Sequence, residues 1–254
     1  MLYGIISDVH SNLEGLNAVL AELDREGVES ILCCGDIIGY GADPGDCLEL
    51  LLERGIRSIR GNHERGLADL EEGRLPQMNP LALEALHYSR DRLSRDQQEL
   101  LISLPDHLEA DGCFLVFHGS PADPDMYVLD EFEARYSFKS LRNEYGEPAN
   151  RICFIGHTHV CTVFILLEDE EQMAGGTVVK PGRLDLPEEI WVMANVGSCG
   201  QYRGGRPQAS FCVYDSDSRS LQFRFVDYDV AAAQEKIRQA GLPPELAERL
   251  AEGW

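Results

Sequence analysis

Residues 2–36, LYGIISDVHSNLEGLNAVLAELDREGVESILCCGD, carry the reading that decides the fold. Residues 2–6 are an apolar run of strand length that leads straight into Asp8-Val9-His10. A helix is predicted from Ser11. Glu14 completes a capping box there, and Leu13, Leu16, Val19, Leu20 and Leu23 fall on one face. Residues 30–34 are the next apolar run, and Gly35-Asp36 follows directly. The pattern is strand, polar loop, helix, strand, polar loop.

The pattern continues outward. Asp43-Pro44 supplies a cap and a first-turn proline for a second helix, with Leu48, Leu51 and Leu52 as its apolar face. Residues 56–60 form a third strand, and Gly61-Asn62-His63-Glu64 lies just past its end. A βαβαβ order implies parallel strands, whose carboxyl ends share one edge where open α/β folds bind ligands. Three polar loops distant in sequence are therefore expected in one cleft. Residues 64–105 read as mainly helical, with Ser94 and Gln97 as a capping box, and residues 113–117 are a strand ending at His118. Residues 120–127 are a loop, 130–145 a helix, and 151–155 a strand leading into Gly156-His157-Thr158-His159. His87 and His107 have no motif around them and read as structural or surface residues.

Beyond residue 160, apolar runs at 160–167, 189–194, 209–214 and 221–226 are joined by turns, which predicts a second, mostly antiparallel sheet packed on the first. Two short helices follow, one capped by Asp229 and one starting at Pro243-Pro244. With no repeat or linker, the expectation is one domain over residues 1–254, with residues 64–105 and 130–145 as a wall on the substrate side.

The chain has 254 residues, 44% hydrophobic and 26% charged, which is a globular composition. Its 22 basic and 44 acidic residues give a net charge of −22. A field of that sign repels polyanions and argues against duplex nucleic acid as a partner. A small phosphate ester remains compatible, because two divalent ions would reverse the sign locally. No apolar run is long enough to span a membrane and no export signal is visible, so a cytoplasmic location is expected. The eight cysteines contain no CxxC pair. Cys33, Cys34, Cys113, Cys153, Cys161 and Cys212 lie in apolar runs and read as reduced core residues, while Cys199 lies in a glycine-rich loop.

Five of the seven histidines fall in five segments: Asp8-Val9-His10, Gly35-Asp36, Gly61-Asn62-His63-Glu64, His118-Gly119 and Gly156-His157-Thr158-His159. Alone, an Asp-x-His or a Gly-Asp is more often a turn than a ligand pair. In this order, each after a predicted strand, the five point to a dinuclear hydrolase. Asp8, His10, Asp36, Asn62, His118, His157 and His159 are the candidate ligands. Imidazole and carboxylate without thiolate suit Mn, Fe, Zn or Co, with Mn and Fe favoured. Two such ions share ligands, for which a carboxylate is the natural bridge, and they activate a water near neutral pH for attack on a phosphoryl group. His63 follows the candidate ligand Asn62, and is placed to protonate a leaving oxygen or to bind the phosphoryl group.

These motifs resemble the calcineurin-like metallophosphoesterases over the whole chain. Gly39-Tyr40-Gly41, His118-Gly119-Ser120-Pro121 and the loop 195–203 are most similar to the bacterial and archaeal single-domain branch. The resemblance implies an α/β (α+β) fold, a four-layer αββα sandwich of two mixed β-sheets flanked by helices. It also implies one metal on Asp8, His10, Asp36 and His159, and another on Asp36, Asn62, His118 and His157. Asp36 is then the bridge and His63 the catalytic histidine. The implied substrates are small phosphomonoesters, phosphodiesters or nucleotides. Dinucleoside polyphosphates such as diadenosine tetraphosphate are one alternative, and a non-catalytic protein-binding scaffold is another.

Two departures from the pattern stand out. Related protein Ser/Thr phosphatases carry an aspartate where this chain has Gly39, and an arginine one position from Arg65, which leaves His63 without a carboxylate partner. Val196 and Tyr202 replace two prolines of the branch, which predicts a less constrained loop. Arg203 in that loop reads equally as a contact for substrate phosphate and as a surface arginine.

Overall fold

The computed structural model describes residues 1–146, 151–167, 173–178 and 180–254. In chain order the elements are β1 (Leu2–Ile6), α1 (Leu13–Glu26), β2 (Ser30–Cys33), α2 (Pro44–Glu53), β3 (Arg57–Ser58), α3 (Asn62–Glu71), α4 (Pro80–Arg92) and α5 (Arg95–Ser103). Then come β4 (His107–Ala110), β5 (Phe114–Phe117), α6 (Glu131–Tyr145), β6 (Ile152–Ile155), β7 (Cys161–Leu167), β8 (Met173–Thr177) and β9 (Gly182–Asp185). The last five are β10 (Ile190–Val196), β11 (Ala209–Asp215), β12 (Ser220–Val226), α7 (Val230–Gln239) and α8 (Pro244–Glu252).

Two six-stranded sheets pack face to face, in the orders β3-β2-β1-β11-β12-β9 and β4-β5-β6-β10-β7-β8. Both are mixed. In the first, β1, β2 and β3 run parallel and β11, β12 and β9 continue antiparallel from β1. In the second, β5, β6 and β10 run parallel, while β4, β7 and β8 are antiparallel to their neighbours. This corrects the expected division into a first parallel sheet and a second, mostly antiparallel one. Strands after residue 160 are split between the sheets: β10 is buried at every position and fits the centre of the second sheet, while β11 and β12 extend the free edge of β1. Apolar periodicity sets which face of a strand is buried, and it carries no information on which edge the strand joins.

Strand alternation builds the layers. Tyr3 and Ile5 of β1 point between the sheets, where they join Leu32, Phe114, Phe154, Val192 and Tyr214 in the central core. Ile6 faces the other way, with Leu16, Val19, Leu20 and Leu23 of α1 and Cys47, Leu48 and Leu51 of α2. Leu115, Phe117, Cys153 and Ile155 on the outer side of the second sheet meet Phe138 and Leu141 of α6. The result is the expected αββα order. The outer face of β1 can carry α1 closely because Gly4 has no side chain: a Cβ there would stand 2.8 Å from a Leu23 methyl.

Most predicted ends agree to within a residue or two. Two caps differ: Asp43 stands at the start of α2 without a side-chain cap bond and accepts from Lys236 Nζ at 2.7 Å instead, and α1 is capped by Asn12, whose Oδ1 accepts from Gly15 N at 3.0 Å, and not by Ser11. Ser11 has φ 53° and gives its N–H to the Ile37 carbonyl at 2.9 Å, so it belongs to the ligand loop. Glu14, freed from capping, pairs with Lys236 at 2.5 Å. The strands β4, β8 and β9 were not expected. All three are edge strands, and much of their surface is exposed, which removes the apolar signal. Among the described residues no helix is long and apolar enough to cross a membrane.

Candidate metal centre

The two parallel triplets point their carboxyl ends at the same place. From the first sheet, β1 leads to Asp8 and His10, β2 to Asp36, and β3 to Asn62 and His63. From the second, β5 leads to His118, β6 to His157 and His159, and β10 to the loop 197–203. All seven candidate ligands and His63 meet at this junction. Their donor atoms form three overlapping groups, Asp8–His10–His159, His10–Asp36–His63 and Asp36–His118–His157, with the atoms of each group within 4.8 Å of one another. Asn62 joins the third through its Oδ1, 3.1 Å from His118 Nε2.

The backbone turns sharply to aim these side chains. Asp8, His10, Ser11, Asp36, Tyr40, His157 and His159 all have φ between 47° and 68°. Left-handed backbone at such residues costs about 1–3 kcal/mol each and persists only where surrounding bonds over-determine it. Those bonds run between the loops: Asp8 N to Gly35 O at 3.0 Å, His10 N to Asp36 O at 3.0 Å, and Gly156 N to His118 O at 2.8 Å. Ser7 Oγ and His157 N both donate to Asp8 Oδ2, at 2.6 and 3.0 Å. Gly61 and Gly156 permit the close approach, because a Cβ at either would stand 2.1 Å from Asp36 Oδ1 or 2.5 Å from Asp8 Oδ2.

Four imidazoles have their tautomers set by backbone carbonyls. His10 Nδ1 bonds Ile38 O at 3.0 Å, His118 Nδ1 bonds Cys34 O at 2.8 Å, and His159 Nδ1 bonds Gln201 O at 2.7 Å. His157 uses the other nitrogen, Nε2, on Asp125 O at 2.9 Å. A carbonyl only accepts, so each of these nitrogens carries hydrogen, and in the neutral rings of His10, His157 and His159 the opposite nitrogen presents a lone pair. His10 Nε2 and His159 Nε2 thus face each other at 3.0 Å, with Asp8 Oδ1 3.2 Å from the latter and without a hydrogen bond. Facing lone pairs and an orphaned buried carboxylate oxygen fit a cation. Asp36 Oδ2 stands between the groups, 3.6 Å from His10 Nε2 and 3.4 Å from His118 Nε2.

Burial disfavours charge throughout the site. It lowers His10 and His159, and takes His63 and His157 down to about 4. His118 goes the other way: burial is outweighed by Asp36 and Asp8, which carry it up to about 9. The two aspartates resist burial because the surrounding imidazoles hold them well below the usual carboxylate range.

His63 stands apart. Its ring lies edge-on to His10 and tilted against Tyr40, its Nε2 is 4.0 Å from Asp36 Oδ2, and its buried Nδ1 has no partner. That matches the missing carboxylate at position 39: Gly39, with φ 95°, leaves room for the ring, and a Cβ there would be 2.0 Å from His63 Nδ1.

Glu64 was not singled out in the sequence, although it sits in a quoted segment. It is fully buried and gathers the loops of Asp36 and Asn62: Oε1 accepts from Ile37 N at 2.8 Å and Ile38 N at 3.2 Å, and Oε2 from Asp36 N at 3.0 Å and Gly61 N at 2.7 Å. Burial and then Asp36 push its carboxyl up to about 7, against which the backbone donors favour the charged form. A glutamate at the third helical position that reaches back to the cap is the signal that could have found it.

The loop 197–203 is held by hydrogen bonds in place of prolines. Ser198 Oγ donates to Asp8 O at 2.7 Å, Gly200 N to the same oxygen at 2.9 Å, and Arg203 N to His159 O at 3.0 Å. Asn195 Nδ2 donates to Gly156 O and to Thr158 Oγ1, which fixes the turn carrying His157. Arg203 lies beside the site, with its guanidinium 5.9 Å from the Tyr40 ring centre and bonded to Gln201 Oε1 at 3.0 Å. His107 is exposed on β4 and stacks on Phe117, and it belongs to none of the donor groups. All eight cysteines are free, and all but Cys113 are buried.

Residues 1–219 match the calcineurin-like phosphoesterase superfamily domain. The uncharacterized protein MJ0912 of Methanocaldococcus jannaschii is 33% identical over 98% of this chain and 97% of its own. A metallophosphoesterase from Sphaerobacter thermophilus superposes with a TM-score of 0.84 at 36% identity, covering 100% of this chain and 99% of that one. The hypothetical protein PH1004 from Pyrococcus horikoshii OT3 shares the fold, with a TM-score of 0.76 at 18% identity over 100% and 98% of the two chains. The chain belongs to the calcineurin-like phosphoesterase superfamily.

Proposed function

We propose that the protein hydrolyses small phosphate esters, as monoesters, diesters or nucleotides, at a dinuclear centre. The observation that carries this reading is Asp36, which stands between two groups of buried N and O donors whose free lone pairs converge. Asp8, His10, Asp36 and His159 hold one ion, and Asp36, Asn62, His118 and His157 the other. The donor set contains no thiolate and suits Mn, Fe, Zn or Co. Two cations held there supply positive charge for phosphoryl oxygens and acidify water at neutral pH.

The remaining steps belong to the chain. Asn62 and His63 bind the phosphoryl group, and Arg203 adds a positive charge at the side of the site. Free His63 is neutral at pH 7, because burial takes it down to about 4. An anionic substrate raises its proton affinity, so the imidazole takes up a proton from solvent as the substrate binds and passes that proton to the leaving oxygen. Residues 65–82 form a wall on the substrate side, within a single domain over residues 1–254, whereas the segment 130–145 of the expected wall packs on the outer face of the second sheet and lines no part of the cleft.

The test is a Mn-loaded preparation assayed on p-nitrophenyl phosphate, its bis-ester, a nucleotide panel and diadenosine tetraphosphate. Turnover of at least one supports the proposal, and turnover of none removes it. Asp36→Ala is expected to lose both metal and activity, and His63→Ala to lose activity while keeping metal. Bound metal without turnover, unaffected by His63→Ala, would instead identify a binding scaffold.

A further inference from the structure

The cleft outside the metal centre has a volume of about 540 Å³, and its lining includes Asn62, His63, Leu75, Met78, Tyr127 and His157. Tyr127 is the aromatic group of this wall that meets solvent. Its ring is stacked on His157 with centroids 3.9 Å apart and an interplanar angle of 27°. The side chain is nonetheless 47% exposed. One face is therefore covered by a candidate ligand and the remainder is open to the cleft.

This placement is built. The loop before Tyr127 is closed by Gly119 N to Pro124 O at 3.0 Å and Ser120 N to Asp123 O at 3.0 Å. A Cβ at Gly119 would stand 2.5 Å from that Pro124 oxygen. Arg65 of α3 grips the loop from the other side, through Pro124 O at 3.0 Å and an ion pair with Asp125. Asp125 O in turn receives the His157 hydrogen bond. An aromatic ring held this firmly, half in water beside a polar floor, is a surface for another flat ring. Leu75 reinforces the point, because it lines the same cleft and is 75% exposed.

We propose that Tyr127 is the stacking platform for the base of a nucleotide, which makes nucleotides the preferred class of phosphate ester. This rests on the phosphoesterase reading above. A base stacked on Tyr127 lies about 3.5–4 Å beyond it, continuing the row His157–Tyr127. The sugar of a nucleotide then spans from the platform to the phosphate over Asn62 and His63. Stacking recognises any π-face, so the platform selects for a base without choosing strongly among bases.

The experiment compares 5′-AMP with ribose 5-phosphate, which has the same phosphate and sugar without the base. Hydrolysis is measured as kcat and KM, and adenosine binding to the Mn-loaded protein by calorimetry. The wild type is expected to prefer AMP through KM. Tyr127→Leu, which keeps an apolar cover on His157, is expected to reduce that preference by about 5- to 100-fold, with the loss in KM and in adenosine affinity. Tyr127→Trp should restore it, and metal content should match the wild type in both variants. Equal KM for the two substrates in the wild type overturns the inference and leaves the phosphoesterase reading intact. An equal loss on both substrates in Tyr127→Leu also overturns it, since Tyr127 would then only prop His157. If no ester is hydrolysed, the phosphoesterase reading fails, and adenosine binding that is absent or indifferent to Tyr127→Leu removes the platform separately.

Discussion

His10 Nε2 and His159 Nε2 stand 3.0 Å apart, although both rings already give their Nδ1 hydrogen to backbone carbonyls. Two lone pairs at that distance repel unless a positive charge lies beside them. The fold brings them together through loops that leave different sheets, an arrangement that suits a shared cation.

Cations are therefore expected to stabilise the folded state strongly. At a Mn concentration about 100 times the dissociation constant, linkage adds about 2.7 kcal/mol, which for a chain of this size raises the melting temperature by about 5–10 °C. Calorimetric melts with Mn and with a chelator check this. Coincident curves would count against a metal centre.

Metal uptake should release protons. In the ion-free protein Asp36 and Asp8 hold His118 up to about 9, so at pH 7 that imidazole is protonated on the nitrogen an ion would need. The ion must displace the proton, and apparent affinity is expected to rise with pH until about 9 and then level off. Titration calorimetry in buffers of different ionisation enthalpy measures the number, which should be about one at pH 7.

Glu64→Ala removes the acceptor of four backbone N–H groups at Asp36, Ile37, Ile38 and Gly61. Buried donors left without a partner cost about 1–3 kcal/mol each before water enters, so a loss of about 3–5 kcal/mol in urea unfolding is expected. Glu64→Gln keeps one carbonyl acceptor and should lose less. A loss below about 1 kcal/mol for the alanine variant would show that Glu64 does not hold the two loops together.

Gly39→Ala tests how His63 is seated. The new Cβ would stand 2.0 Å from Nδ1, at a backbone φ of 95° that alanine rarely adopts. The ring must move, and misplacement of about 1 Å can cost about 100-fold in rate. Turnover is expected to fall by about that factor while metal content is retained. Full turnover would detach His63 from the chemistry.

Much of the centre was legible because the sequence writes each ligand just after an apolar run. Asp8, Asp36, Asn62, His118 and His157 each lie within four residues of a strand's carboxyl end, and parallel strands bring such positions to one edge. Glu64 was missed because its value lies in four backbone partners, three of them 26, 27 and 28 residues away. Tyr127 was missed for a different reason. It sits in a loop rich in proline and aspartate, where an aromatic has no periodicity to mark its direction.

The sequence by itself determined the strand-and-ligand order, the chemistry of the donors and the absence of thiolate among them. These are local properties, set by side-chain type and by spacing along the chain. Only the tertiary structure decided that β10 joins β6 while β11 joins β1, that His157 offers Nδ1 where its companions offer Nε2, and that Tyr127 lies on His157. Each depends on which backbone carbonyl or sheet edge meets a residue from a distant segment, and that partner is chosen by packing, which spacing along the chain does not encode.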